Sequence, residues 1–207
     1  MKTGRLALCT LLAAAGLLLT APSMRGPAAA PEVPPSLAGQ LLVALPSLED
    51  PRFTKTVIFM VAHSVRGASG LIVNRPLGDI PIAVLLKQAG LPDPAAKGTV
   101  KLHVGGPVEP TRISVLHTDD FRGQETNVLG GGLAVTTQPD VLQAIAAGKG
   151  PRQARFFVGY AGWAPGQLEA EIRDGAWITV PADEAILFDE AYETKWDRAM
   201  AKRRINL

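Results

Sequence analysis

The sequence predicts an α+β domain in which a mixed β-sheet is packed by three or four helices. Three observations carry that expectation. Apolar, β-branched runs crowd the first half of the chain, helical and strand periods alternate in the second half, and no internal repeat or heptad runs through either. With 207 residues, 47% of them hydrophobic, the chain can bury one sizeable core, so a single folded domain is expected.

The opening residues come before that domain. MKTGRLALCTLLAAAGLLLTAPS has two basic residues, Lys2 and Arg5, then an uncharged apolar run from Leu6 to Leu19 and small residues after it. This is the pattern of a secretory signal, with Ala21 and Ser23 at the small-residue positions before a cut. Residues 1–23 are therefore expected to be a signal peptide or an N-terminal anchor, and the protein to be exported to the periplasm. The run is short for a membrane span, so membrane association is expected only through an uncleaved segment. A start at Met24 is the alternative and would leave the protein cytoplasmic. Residues 24–38, MRGPAAAPEVPPSLA, are rich in Pro and Ala without a period and read as an extended linker.

The domain is expected to span residues 39–207. LLVALP (41–46) and TVIFMVA (56–62) are the first two strands, separated by the polar SLEDPRF, and GLIVN (70–74) is the third, stopped by Arg75-Pro76. Ile82, Leu85, Leu86 and Ala89 recur at helical spacing and predict a helix over 80–89, closed by Gly90. KLHVGG (101–106) and RISVLHT (112–118) are further strands. Asp119 to Gly132 lacks a period and reads as a mobile surface loop. Thr137, Pro139 and Asp140 ahead of Val141, Leu142 and Ile145 are helix-start signals, and RQARFFVGY (152–160) returns as a strand. Gly159 and Gly162 then follow that strand, Pro165 fits the first position of a helix, and Leu168 with Ile172 supply its buried face. At the end of the chain, Tyr192, Trp196 and Ala199 share a helical face, and basic residues gather where the helix dipole favours them.

Composition excludes several functions. Cys9 is the only cysteine and lies in the leader, so the mature chain has no disulfide, thiolate metal site or cysteine nucleophile. Loss of Lys2 and Arg5 leaves 19 of the 21 basic residues against 19 acidic ones. That neutral balance gives no reason to expect a nucleic-acid partner.

The span from Gly159 to Trp177 invites a phosphate-cradle reading, since a glycine turn feeding a helix offers free N–H groups. Glu169 and Glu171 would repel an anion there, and neither a Walker loop nor a dinucleotide fingerprint is present. The glycines are therefore expected to serve close packing, with Trp163 and Trp177 as core or rim aromatics. His63, His103 and His117 are scattered and show no metal-ligand spacing. No serine sits in a nucleophile elbow, so no catalytic residue, cofactor or metal is assigned. Asn74-Arg75-Pro76 sets an arginine at a strand end, where it can grip a carboxylate or phosphate or serve as an ordinary surface charge beside a turn-forming asparagine.

Four stretches taken in order, GQLLVALPSLEDPRFTKTVIFMVAHSVRGASGLIVNRPL, HVGGPVEPTRISVLHT, GLAVTTQPDVLQAIAAGKGP and VGYAGWAPGQLEAEIRDGAWITVPADEAILFD, resemble the YqgE/AlgH family, UPF0301, from about Gly39 to the C-terminus. The matching positions include His63, Gly70, Asn74, Pro76, Gly105, Gly106, Pro107, His117, Gly159, Gly162, Trp163, Gly166, Gln167 and Leu168. The resemblance implies a bifurcated sheet curled into a pseudo-barrel. The family's regulatory label, a transcriptional role in alginate production, comes with no established DNA-binding motif or catalytic residue, so no active site carries over. Its members otherwise look cytoplasmic and leaderless. The leader is this sequence's departure, and an exported protein does not meet the chromosome.

Two functions compete. One is a non-enzymatic regulatory or interaction module with an unidentified protein partner. The other is an anionic-ligand-binding protein or hydrolase-like enzyme using a cleft near His63, Asn74, Arg75 and His117. Gly105, Gly106, Pro107, Gly159, Gly162, Trp163 and Gly166 are expected to be structural.

Overall fold

A computed structural model describes residues 35–203, which form one compact unit. Residues 1–23, expected to be a leader, and residues 24–34 of the expected linker lie outside the described residues. Among the described residues, Ser36 already bonds to the domain, three residues before the boundary the sequence suggests.

Among the described residues, ten strands carry the fold: β1 (Gln40–Ala44), β2 (Val57–Ser64), β3 (Gly67–Ile72), β4 (Pro76–Pro81), β5 (Thr99–Val104), β6 (Val108–Thr118), β7 (Asn127–Gly130), β8 (Leu133–Thr136), β9 (Ala154–Trp163) and β10 (Trp177–Pro181). Five short helices accompany them there: α1 (Ile82–Gln88), α2 (Asp140–Ala146), α3 (Gln167–Arg173), α4 (Glu184–Phe188) and α5 (Lys195–Lys202). The α+β class and the curled, mixed sheet are as expected. The helix count exceeds three or four because α4 is a five-residue turn, capped by the Asp183 carboxylate accepting from the Ala185 and Ile186 amides, too short to leave a period.

The strand order is β10-β1-β2-β3-β9-β6-β8-β7, with β4 and β5 branching off. β1 and β2 read as unbroken apolar runs because both their faces are buried. Leu41, Val43, Val57 and Phe59 point into one core, while Leu42, Ala44, Ile58 and Met60 point into a second core that also holds Leu168, Trp163 and Trp177. A third core, beneath α1 and α2, gathers Leu85, Leu86, Leu102, Val115, Leu142 and Phe156.

The branch is made at β9. One edge of β9 pairs with β6, while the other changes partner halfway along. Phe156–Val158 lie parallel to β5, and Ala161–Trp163 lie antiparallel to β3. Gly159 sits between the two halves at φ 68°, a backbone that favours glycine. Gly105 bridges the fork, its N–H donating to Val158 O and its C=O accepting from Ile72 N, each at 2.9 Å. A side chain on Gly105 would overlap the Gly159 carbonyl, and one on Gly106 would overlap the Tyr160–Ala161 peptide.

β3 ends at Ile72, before Arg75-Pro76, but Pro76 then opens a strand the sequence does not announce, β4, which pairs with β5, and a proline is tolerated on such an edge. Several other expectations are corrected. Gly159 and Gly162 lie within β9 and do not follow it. The helix after them starts at Gln167 and not at Pro165, since Gly166 adopts a left-handed backbone. Asp119–Gly132 is not a free loop: it contains β7 and is pinned by Gln124 N donating to the Asp140 carboxylate at 2.7 Å. Thr137 makes no cap; Asp140 begins α2 directly after Pro139.

Substituting Gly105 or Gly106 with Ala forces backbone apart at the fork and is expected to cost about 2–4 kcal/mol. Gly90→Ala meets open space and carries only the strain of a positive φ, about 1 kcal/mol. Urea unfolding of the three variants measures the difference; equal losses would remove the fork from its central place.

Candidate functional site

The four side chains singled out from sequence are each engaged by local structure. Asn74 Oδ1 accepts from Val57 N at 3.0 Å and its amide donates to Lys55 O at 2.8 Å, lacing the end of β3 to the start of β2. Arg75 donates to Thr56 Oγ1 at 2.9 Å and to Thr54 O at 3.3 Å. His63 accepts the Leu37 amide at Nδ1, 3.2 Å, which leaves its Nε2–H to donate to Glu169 Oε1 at 3.0 Å.

His117 is fully buried. Its Nδ1–H donates to Thr118 O at 2.8 Å, and Nε2 accepts from the Thr136 hydroxyl at 2.9 Å. Burial pushes its pKa down. His103, also fully buried, donates to Phe156 O and accepts from the Tyr192 hydroxyl, both at 3.1 Å. Burial pushes it down to about 4, against the backbone hydrogen bond, which acts in the other direction. All three imidazoles thus have both nitrogens engaged.

Sequence reading missed the ionic cluster beside His103. The Lys195 side chain is fully buried; its ammonium donates to Ile186 O and, at 2.9 Å, to Asp189 Oδ1, and lies 5.4 Å from the Tyr192 ring centre. Burial lowers the Lys195 pKa. Burial alone would raise Asp189, but hydrogen bonds from Lys195 and Arg198 hold it below the usual carboxylate range. The cluster fastens α5 against the sheet. Its only trace in the sequence is the lysine among the apolar residues of a terminal helix.

A second hidden anchor is Glu171. Its Oε2 accepts from the indole N–H of Trp163 and of Trp177, each at 2.8 Å, and its Oε1 accepts from the Gln167 side chain at 2.8 Å. The two tryptophans are core aromatics, as expected, in an edge-to-face pair with centroids 6.0 Å apart.

Open concave surface lies elsewhere. Along β6, five residue steps from Val108 to Ile113 stand opposite two steps on β9, from Tyr160 to Val158, so three extra residues bow out of the sheet. Glu109, within this bulge, holds φ 46°, a strained left-handed backbone for a side-chain-bearing residue. On one side of the bulge is a trough of about 670 Å³ facing the β2–β3 hairpin. Its floor includes Val61, Leu71 and Val135; Ser69, Ser114 and Tyr160 supply hydroxyls, and Arg66 and Arg112 are its charged lining residues. On the other side is a cavity of about 680 Å³ under α1 and α2, lined by Leu85, Leu102, Val115 and Leu142 together with polar residues such as Gln88, Thr111 and Gln138. Arg112 and Thr137 line both.

The bulge carries its own ion pair. Glu109 Oε2 accepts from Arg112 at 3.3 Å, Glu109 Oε1 accepts from the Tyr160 hydroxyl at 3.0 Å, and the Arg112 guanidinium lies 5.8 Å from the Tyr160 ring centre. The hydrogen bond to Glu109 raises the Tyr160 pKa. Periodicity gives no hint of this site, because a bulge interrupts the alternation that reveals strands.

Comparison with known proteins agrees with the fold. The family model described as AlgH-like matches residues 41–207. A UPF0301 protein of Caulobacter vibrioides (strain NA1000 / CB15N) is 45% identical over 168 residues, 80% of this chain and 86% of the relative. One from Methylococcus capsulatus is 46% identical over 173 residues, 82% and 94% of the two chains. The solution structure of the AlgH protein from Pseudomonas aeruginosa superposes with a TM-score of 0.71 at 44% identity, covering 82% of this chain and 90% of that one. A crystal structure of a Corynebacterium diphtheriae protein shares the fold at 23% identity and a TM-score of 0.61, covering 81% and 86%.

Two measurements check the buried anchors. His103 has a folded pKa near 4, below its ordinary 6.5, so between these values the unfolded chain binds the extra proton. Stability is therefore complete above pH 6.5 and falls as the pH drops toward 4, by on the order of 3 kcal/mol. His117 adds in the same direction. His103→Gln is expected to flatten the dependence of urea midpoint on pH across that window, and an unchanged slope would contradict the assignment. Glu171→Ala strands two indole donors and is expected to cost about 2–3 kcal/mol in urea unfolding, with a red shift of tryptophan emission in the folded state.

Proposed function

Because the chain belongs to the AlgH-like family, we propose its function from the surfaces of this domain: it is a non-enzymatic interaction module that regulates through protein contact and receives its partner at the trough beside the β6 bulge. The observation that carries this reading is the saturation of its chemical groups. His63, His103, His117, Asn74, Arg75 and Lys195 all bond to main chain or to neighbouring side chains, so none stands ready as nucleophile or general base toward an open cavity. The trough combines an apolar floor with hydroxyl and arginine groups, the composition of a recognition surface more than of a reaction centre.

One observation favours a second reading. Arg66 and Arg112 line the trough with no acidic side chain among its lining residues, which also suits a small anionic metabolite.

A photo-crosslinking residue placed at Val108, in the trough, is compared with one at Val84, an exposed position on α1. The module reading expects one dominant protein adduct from Val108 in living cells, absent from Val84 and weakened by Arg112→Glu. Identical adduct patterns at the two positions would reject it. So would turnover of any substrate by the purified protein that disappears in His117→Gln while its fold is retained.

A further inference from the structure

We propose that Glu109 is a built-in occupant of a carboxylate cradle, and that the cradle, formed by the Tyr160 hydroxyl and the Arg112 guanidinium, receives an acidic segment of a partner protein that displaces Glu109. This deepens the interaction reading, on which it rests, by naming the chemistry of the partner.

Three observations converge on the cradle. First, it already binds a carboxylate: one oxygen of Glu109 takes the phenol hydrogen at 3.0 Å and the other takes a guanidinium hydrogen at 3.3 Å. A guanidinium has five donors in a planar fork, so Arg112 is under-used by a single contact. Second, Glu109 is held there at a backbone cost. Its φ of 46° is one of three positive values among the described non-glycine residues, a region that is unfavourable for an L-residue. The pair is exposed, with half of each side chain open to water, so the intramolecular bond contributes little in return. An occupant held by weak bonds on a strained backbone is readily exchanged for a better one.

Third, the cradle is not isolated. It stands at one margin of the trough, whose other charged lining residue, Arg66, follows β2 at the hairpin tip and has no side-chain acceptor among the described residues. Val61, Leu71 and Val135 lie in the floor. Two cationic points around an apolar floor complement an extended segment with carboxylates on either side of an aliphatic anchor. Ser69 and Ser114 supply hydroxyls to the main chain of such a segment.

The probe is a blocked five-residue peptide alternating glutamate with valine, and its control is the same peptide with glutamine in place of glutamate. Binding to the intact domain is followed by NMR of the Val61, Leu71 and Val135 methyl groups. The proposal expects the glutamate peptide to bind at least about tenfold more tightly than the glutamine one, with an affinity that falls as salt rises. Glu109→Gly removes both the competitor and the strain and is expected to tighten binding about fivefold. Arg112→Gln and Tyr160→Phe, which change exposed or half-exposed side chains, are expected to weaken it by a similar factor each. Opposite signs for Glu109 and for its two partners are what a merely structural ion pair would not produce. Equal binding of the two peptides, or a Glu109→Gly variant that binds no more tightly than the parent, overturns the proposal. If the peptide fails while the Val108 adduct persists, the acidic-segment assignment falls and the interaction module stands; if both fail, both fall.

Discussion

The fold rests on a close approach of backbones at Gly105, Gly106 and Gly159. Two strands, β3 and β5, reach the same edge of β9 from different directions, and the sheet divides only if their ends come near enough for Gly105 to bond to both sides at once. Side chains would occupy that space, so the fork is a constraint on volume before it is one on conformation. Once the sheet divides, one branch carries β4, β5 and the α1–α2 layer, and the other closes over the core centred on Phe59 and Phe157.

The fork also explains where the open surface lies. β6 continues along the other edge of β9, past the point where that strand changes partner, and the bulge at Glu109–Arg112 begins directly opposite Gly159 and Tyr160. A side chain at Gly159 would strike the carbonyls of Gly106 and Val108, the residues that lead into the bulge. The tight contact on one side of β9 and the detached segment on the other are therefore neighbours in space. The cavities on either side of the bulge need no enzyme-like arrangement to account for them.

Much of the fold was legible in the sequence, and the limits of legibility have physical reasons. The runs 41–46 and 56–62 announced β1 and β2 because strands buried on both faces must be apolar throughout. Ile82, Leu85 and Leu86 announced α1 because one helical face packs on the sheet. β4 was hidden by its prolines, which are tolerated on an edge, and β7 by its exposure and by the glycines after it. The site was harder still. Histidine and arginine draw the eye as reactive types, yet their chemistry depends on partners far away in sequence: His63 pairs with Glu169, His103 with Tyr192, and Arg75 with Thr56. Glu109 and Tyr160, 51 positions apart, meet only because β6 and β9 pair, and no local pattern encodes that meeting.

The stretch from Gly159 to Trp177 shows how one segment meets both demands. Its acidic residues suit the N-terminal turns of α3, but their side chains do more than complement a dipole. Glu169 receives His63, which holds the incoming residues Ser36 and Leu37, while Glu171 receives both tryptophans and so joins the end of β9 to the start of β10. One helix turn thus fastens the N-terminal segment, the last residues of the forked strand and an edge strand of the sheet. An anion bound at this helix start would have to displace those carboxylates and release all three. The segment that most resembles a phosphate loop is for that reason committed to holding the fold together, whereas at the β6 bulge, the proposed recognition surface, a carboxylate can leave without unfastening any strand.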